Sequence, residues 1–280
     1  MFDLPDPGRY ILRRPPLVMA LVQVQYPLIG RIEELAGITP IQEAIKDVFP
    51  YMERLQVNQV MLAFGLGGPV QPPAQQTTVA WKFTDDAGWT AAIDPGSTSL
   101  SVGVNYTNVD DFTTRLGRCL RALRDAANIP RCTRIGVRYV NVARIAEGEQ
   151  WAGWFRPELA GWIATDIFTA GATVDSSISQ TSVRAAGTGD LAIAPHPVQA
   201  VIRNGLLPAG TIIPVGNISP LQPLAVPGFI LDIDVSIAGP QPFDVEVLLR
   251  QFAGLHQQID RFFAWSLAEP GRQHFGMERQ

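Results

Sequence analysis

The sequence predicts an α+β fold, in which a curved antiparallel sheet carries long helices packed on one side. Segments with apolar and polar residues in strict alternation recur along the chain, and amphipathic helical segments separate them. Turn-forming residues, such as those at 85–88, join the strand-like segments. Apolar residues make up 46% of the 280 residues and charged residues 17%, so a substantial core can form.

The predicted strands of the first half begin at residues 17–27. Apolar residues there alternate with Gln23 and Gln25, which indicates one buried and one polar face. In the segment 77–84, Trp81 and Phe83 alternate with small polar residues. Such aromatics can stack bases in RNA-binding sheets, but this alternation favours a core-facing strand. The other predicted elements are strands at 58–65, 89–93 and 100–106 and a proline-rich exposed loop at 67–76.

Two helices are predicted in the first half. The first begins at the N-cap Thr39, continues with Pro40 at the first helical position and a capping-box Gln42, and extends to Leu55. The second follows the N-cap Asn108, and acidic residues in its first turn suit the helix dipole. Its predicted buried stripe consists of Val109, Phe112, Leu116, Leu120 and Leu123.

The second half repeats this order of elements. A helix with a break near Pro157 is predicted at 150–168, and an amphipathic helix at 245–267 closes the chain. A proline-rich loop at 206–227 would be an insertion. The predicted strands of this half are 134–142, 174–184, 191–204 and 229–236.

These elements divide the chain into two α+β units, 17–130 and 131–270. An extended lead-in at 1–16 precedes them and a tail at 271–280 follows. Each unit has a β-α-βββ-α pattern, which resembles the duplicated saddle of the TATA-binding-protein fold. That resemblance implies two half-sheets joined into one curved antiparallel sheet with the helices on one side.

Charge and composition exclude several classes of function. The net charge of −4 is unfavourable for a surface that attracts nucleic acid. There is no apolar run of about 20 residues that could cross a membrane and no signal-peptide pattern, so we expect a cytoplasmic protein. Cys119 and Cys132 fit neither a disulfide framework nor a zinc site and are predicted to be free thiols. We expect no metal and no cofactor.

Several segments together resemble a sporadically distributed, uncharacterised family of bacterial proteins of about this length. The most specific of them is a strand with the pattern R-x-G-x-R-Y-x-N at 134–141. That family has no assigned activity, so the resemblance implies a scattered, horizontally exchanged gene and no particular chemistry. The other segments are Trp81-Lys82-Phe83, Tyr106 with Asp111-Phe112, Leu255-His256, Phe262-Phe263 and Phe275-Gly276.

One polar constellation is a candidate site on the predicted sheet. Opposite charges on neighbouring strands can simply pair with each other, and this is the interpretation we favour. The arginines could instead bind a phosphate or carboxylate, and Asp232 with Asp234 could hold Mg²⁺. The candidate residues are Gln23, Gln25, Arg134, Arg138, Asp232 and Asp234.

The sequence contains no nucleophile elbow, phosphate-binding loop or metalloprotease motif, so no catalytic residue is assigned. His256, on the closing helix, is predicted to be a half-buried, hydrogen-bonded residue rather than a general base. The leading hypothesis is a non-enzymatic binding or interaction protein, for example one of a mobile or defence-associated gene module. Its partner would be another protein, or a second copy of the chain, or a small anionic ligand. The alternative is a metal-dependent enzyme acting on a nucleotide or phosphorylated substrate.

Overall fold

The computed structural model describes residues 1–58, 77–149, 151, 153–165, 167, 172–192, 196–213 and 223–279. The predicted loop at 67–76 lies outside these residues, as do the predicted strand at 58–65 after its first residue and the middle of the loop at 206–227. The strands are β1 (Tyr10–Leu12), β2 (Leu17–Gln25), β3 (Tyr51–Asn58), β4 (Thr77–Thr84), β5 (Trp89–Asp94), β6 (Ser97–Val102), β7 (Arg131–Arg144), β8 (Ser177–Ala185), β9 (Val198–Leu207), β10 (Gly228–Pro242) and β11 (Met277–Arg279). The helices are α1 (Leu35–Ile45), α2 (Val109–Ala127), α3 (Pro157–Ala160), α4 (Val245–Ser266) and α5 (Glu269–Phe275).

Nine of these strands form one antiparallel sheet, in the order β3-β4-β5-β6-β2-β7-β10-β9-β8. The predicted mixed α+β class with a large antiparallel sheet is therefore confirmed. The first strands of the two halves, β2 and β7, pair with each other at the centre of the sheet. In the first half, β6 lies beside β2, and in the second half, β10 lies beside β7.

The helices α1, α2 and α4 pack against one face of the sheet. Alternate residues of each strand contribute to that core because side chains alternate across a strand. Across the boundary of the halves, the ring of Phe112 in α2 stacks on Phe252 in α4 at 5.2 Å. The α4-facing residues of β10 are Phe229, Leu231, Ile233, Val235 and Ile237.

The two long helices begin where the sequence predicts. The side chain of Asn108 accepts a hydrogen bond from the backbone N–H of Asp111 at the start of α2. Asp244 accepts one from Val247 at the start of α4. In the described part of the chain, none of the helices is long and apolar enough to cross a membrane.

Two helix predictions were wrong. The helix α1 begins at Leu35 and ends at Ile45, with Pro40 inside it, and Leu55 belongs to strand β3. Glu34 stands at the N-cap position, while the Thr39 hydroxyl donates back to the Leu35 carbonyl instead of capping a helix.

The predicted helix at 150–168 is also incorrect. Its described residues form only the single turn α3 and the following 3-10 turn Gly161–Ala164. Gly161 has a positive φ of 54° and ends α3 after four residues. Among the aromatic residues of this segment, Trp154 and Phe155 are buried, whereas Trp162 is exposed.

The N-terminal segment folds back across the molecule. Its strand β1 pairs antiparallel with β11, near the other end of the chain. The lead-in and the tail are thus fixed to each other. On the opposite face of the sheet, the described parts of the proline-rich loop cover one end, where a second cluster forms from Met19, Val140, Val142, Leu207 and Ile213.

The two cysteines are buried free thiols, as predicted. Cys119 lies in α2 and Cys132 near the start of β7, both within the main core. Trp81, Phe83 and Trp89 also point into this core, so they face the helices and not solvent.

Candidate functional site

The six residues of the predicted site lie on one face of the sheet, the face opposite the helices. Gln25 stands across from Arg134, and Arg138 stands across from Asp234. The other predicted residues follow at alternate positions of the same strands, so they share that face. We call the surface formed by Gln23, Gln25, Arg134, Arg138, Asp232 and Asp234 the open face.

Asp232 is the centre of the open face. Its side chain is only 2% exposed, and both of its oxygens accept hydrogen bonds. Arg138 donates from Nε and Nη2 at 2.7 and 2.8 Å, and Arg203 of β9 donates from Nη1 at 3.1 Å. The bidentate geometry is the strong form of a carboxylate–arginine pair. Burial lowers the pKa of Arg138, but the hydrogen bonds and charge of Asp232 raise it above its usual value.

A second, longer pair lies beside the first one. Arg134 Nη2 donates to Asp234 Oδ1 at 3.3 Å, and both side chains are about one quarter exposed. Burial raises the pKa of Asp234 despite the nearby arginines. The guanidinium of Arg134 lies over Gly136, where an added Cβ would come within 2.6 Å of it. The glycine of the R-x-G-x-R pattern therefore leaves room for an arginine to lie flat on the strand.

These contacts limit what the open face can do chemically. Each of the two carboxylates is already bound by an arginine, and Gln25 donates to Gln23 at 3.1 Å. A metal ion would have to displace those arginines. Within the described ranges, no group of three or more His, Cys, Asp or Glu side chains is arranged to hold a metal ion.

A different set of polar residues surrounds a cavity on the helix side of the sheet. Its volume is about 690 Å³, within the usual range for small-molecule sites. We call it the arm cavity. Its walls come from the N-terminal segment at residues 8–12, the start of α2 at 107–110, Tyr139 and Asn141 of β7, and His256 and Asp260 of α4.

The strand β7 contributes to both surfaces. Arg134 and Arg138 lie on the open face, whereas Tyr139 and Asn141 point the other way and line the arm cavity. This follows from the alternation of side chains along a strand. In the R-x-G-x-R-Y-x-N segment, the two arginines therefore belong to the open face, and Tyr139 and Asn141 belong to the arm cavity.

Two hydrogen bonds join pairs of residues in the wall of the arm cavity. Tyr10 of the N-terminal segment donates its hydroxyl to Asp260 Oδ1 at 2.6 Å. The hydroxyl groups of Tyr139 and Tyr106 are 3.2 Å apart and hydrogen-bonded. The His256 ring lies 5.5 Å from the Tyr139 ring. Its Nδ1 is shielded from solvent and has no hydrogen-bond partner in the described part of the chain.

Burial shifts the ionisation of these groups towards their neutral forms. It lowers the pKa of His256 to about 4, and it raises the pKa of Asp260 above its ordinary value. Burial is also the main reason that the pKa values of Tyr10, Tyr106 and Tyr139 are raised. At neutral pH the imidazole is therefore uncharged and the three phenols keep their protons.

The sequence does not predict the arm cavity. Tyr10 was placed in an extended lead-in, and His256 was expected to be hydrogen-bonded, whereas its Nδ1 has no partner among the described residues. One local signal was present: the period of two along β7 places Tyr139 and Asn141 opposite the arginines. The four-residue spacing of His256 and Asp260 likewise places both on one face of α4.

Comparisons with known proteins add no assignment. No protein-family model matches the chain, and a search of curated proteins found no match either.

Proposed function

We propose that the chain is a non-enzymatic binding protein and that the arm cavity is its small-molecule site. The observation that carries this proposal is the convergence of Tyr10, Tyr106, Tyr139, His256 and Asp260, from three elements and the loop before α2, on one cavity of about 690 Å³. Polar groups that converge in a largely apolar concavity are typical of ligand sites. His256 also lies in the cavity wall, and its Nδ1 has no hydrogen-bond partner among the described residues.

The ionisation of the cavity favours binding over acid–base catalysis. A general acid or base works best when its pKa is close to the working pH. The pKa of His256, about 4, lies well below neutrality, and burial raises the pKa of the three tyrosines. His256 and the three tyrosines are therefore suited to donating and accepting hydrogen bonds without transferring protons.

The metal-dependent enzyme is the weaker alternative because Asp232 and Asp234 both contact arginines. A protein partner on the open face remains a second prediction. The partly exposed side chains of Gln23, Gln25, Arg134 and Asp234 are the groups that such a partner would contact. The interpretation of the two halves as a duplicated saddle also remains a prediction.

A cavity-filling variant tests the proposed function. Val109 lines the arm cavity at the start of α2, so Val109→Trp should fill part of it. Saturation-transfer NMR with a library of small fragments should show binders of the wild type that lose their signal with this variant. Thr114→Trp, at an exposed position of the same helix, should keep them. An absence of binders, or binders unaffected by Val109→Trp, would contradict the proposal.

A further inference from the structure

The charges around the arm cavity indicate which class of ligand it takes. Two carboxylates, of Asp110 and Asp260, line it against the single guanidinium of Arg9. We infer that the arm cavity binds a primary ammonium group attached to an aromatic or apolar body. This inference rests on the proposed function and extends it by naming the ligand class.

Asp260 would bind the ammonium group. Its Oδ1 already accepts the Tyr10 hydroxyl, which holds the carboxylate in place. A partly buried carboxylate is costly without a cation close to it, and a bound ammonium would supply that charge. The charge of Arg261, on the same helix, acts on Asp260, but its guanidinium contacts Asp6 at 3.8 Å.

His256 lies one helical turn before Asp260, so the two side chains lie on the same face of α4. Its neutral imidazole has a nitrogen lone pair that can accept a hydrogen bond. A primary ammonium has three N–H donors, which is enough to donate to a carboxylate and an imidazole nitrogen at once. A quaternary ammonium has no such donor, so it would not satisfy His256.

The aromatic wall suits both the cation and its body. The rings of Tyr106 and Tyr139 are 5.7 Å apart in an edge-to-face arrangement. Their π faces attract a cation, and this attraction strengthens where water is excluded. Ile259 and Phe263 of α4 add apolar lining for the rest of the ligand.

An anionic ligand is the competing possibility because the N-terminus of α2 opens towards the cavity. A helix N-terminus attracts anions through its unpaired N–H groups and its dipole. Here the Asn108 side chain already accepts from the Asp111 N–H, and Asp110 and Asp111 supply negative charge in the first turn. The Asn108 cap and the negative charge of the first turn thus disfavour an anion at this helix N-terminus.

Isothermal titration calorimetry with three probes that share a phenethyl group tests the inference. Phenethylamine, phenethyl alcohol and hydrocinnamate share an aromatic body and differ in charge at neutral pH. We expect phenethylamine to bind at least about tenfold tighter than the other two, as one charge-assisted hydrogen bond predicts. Equal or tighter binding of the alcohol or the carboxylate would overturn the inference but leave the proposed function intact. No binding of any probe would count against both.

The variant Asp260→Asn locates the effect. Its amide oxygen can still accept from Tyr10, so the fold contact is retained while the charge is lost. In this variant, phenethylamine should bind about as tightly as phenethyl alcohol, and the affinity for phenethyl alcohol should change little. Asp125→Asn is the matched control, since Asp125 is exposed on α2 and pairs with Arg124 outside the cavity. A preference that survives Asp260→Asn, or falls equally with Asp125→Asn, would overturn the assignment.

Discussion

The side chain of Arg138 holds the buried carboxylate of Asp232 from one side of the open face. The variant Arg138→Ala removes two hydrogen bonds of 2.7 and 2.8 Å, and among the described residues it leaves only Arg203 paired with the carboxylate. Losing one partner of a buried ion pair is strongly destabilising. Since Arg138 is about a quarter exposed and Arg203 remains, we expect a loss of about 2–3 kcal/mol in the free energy of unfolding by urea denaturation.

Arg134 provides the comparison on the same strand and the same face. Its contact with Asp234 is a single hydrogen bond of 3.3 Å between partly exposed groups. The variant Arg134→Ala should therefore cost under about 1 kcal/mol. If the two variants lose a similar free energy of unfolding, the burial of Asp232 does not determine the cost of removing an arginine from the open face.

His256 makes the stability of the protein depend on pH. Its pKa is about 4 in the folded chain and 6.5 when it is unperturbed, so between these values the unfolded chain binds a proton that the folded chain does not. The free energy of unfolding should thus fall as the pH is lowered from about 6.5 to about 4, by at most about 3 kcal/mol. In His256→Phe, this part of the pH dependence should disappear.

Denaturation at several pH values measures the effect of His256. His274 serves as the control: burial and the charge of Arg14 lower its pKa, and Glu149 opposes that shift. His274→Phe should leave most of the acid sensitivity in place. If His256→Phe has the same slope as the wild type between these pH values, the imidazole is accessible to protons in the folded state.

At the scale of elements, the edge strand β8 is held close to β9 at a glycine. A Cβ added at Gly205 would lie 1.7 Å from the carbonyl oxygen of Ser177 in β8. Both strands contribute backbone atoms there, so neither can move aside without breaking the pairing. Gly205→Ala should raise hydrogen exchange in residues 177–185 by at least about tenfold. Gly30→Ala, which has open space around it, should leave this exchange unchanged.

Local signals determined which elements could be predicted. Helices α2 and α4 were predicted because Asn108 and Asp244 cap them and an apolar stripe follows. The start of α1 was misplaced because Thr39 and Pro40 imitate a helix N-terminus inside the helix. The predicted helix at 150–168 was wrong because its aromatic residues are held by tertiary contacts, such as Phe155 stacking on Phe229 at 4.3 Å.

The two candidate surfaces differed in how far the sequence could reveal them. The open face follows from the alternation in β7 and β10 once those strands are neighbours, so its six residues were found. The arm cavity depends on β1 returning to pair with β11. That contact joins opposite ends of the chain, and no periodicity within a short window reports it.

The whole molecule is organised around one core that crosses both predicted units. Phe252 of α4 is fully buried and stacks on Phe112 of α2, and β2 pairs with β7 beneath them. Phe252→Ala should cost about 3–5 kcal/mol. Hydrogen exchange should then accelerate together in the slowest amides of both units. Faster exchange in residues 131–270 alone would show that the units unfold independently.

The two buried thiols can report whether the two units unfold together. Burial raises the pKa of Cys119 to about 12 and that of Cys132 to about 11. Alkylation requires the thiolate, so iodoacetamide should modify the native protein extremely slowly at neutral pH. One cysteine lies in each unit, and mass spectrometry distinguishes chains that carry no label, one label or two. If unlabelled chains become doubly labelled without passing through the singly labelled form, the two units open together. The rate of double labelling then reports the rate of that opening.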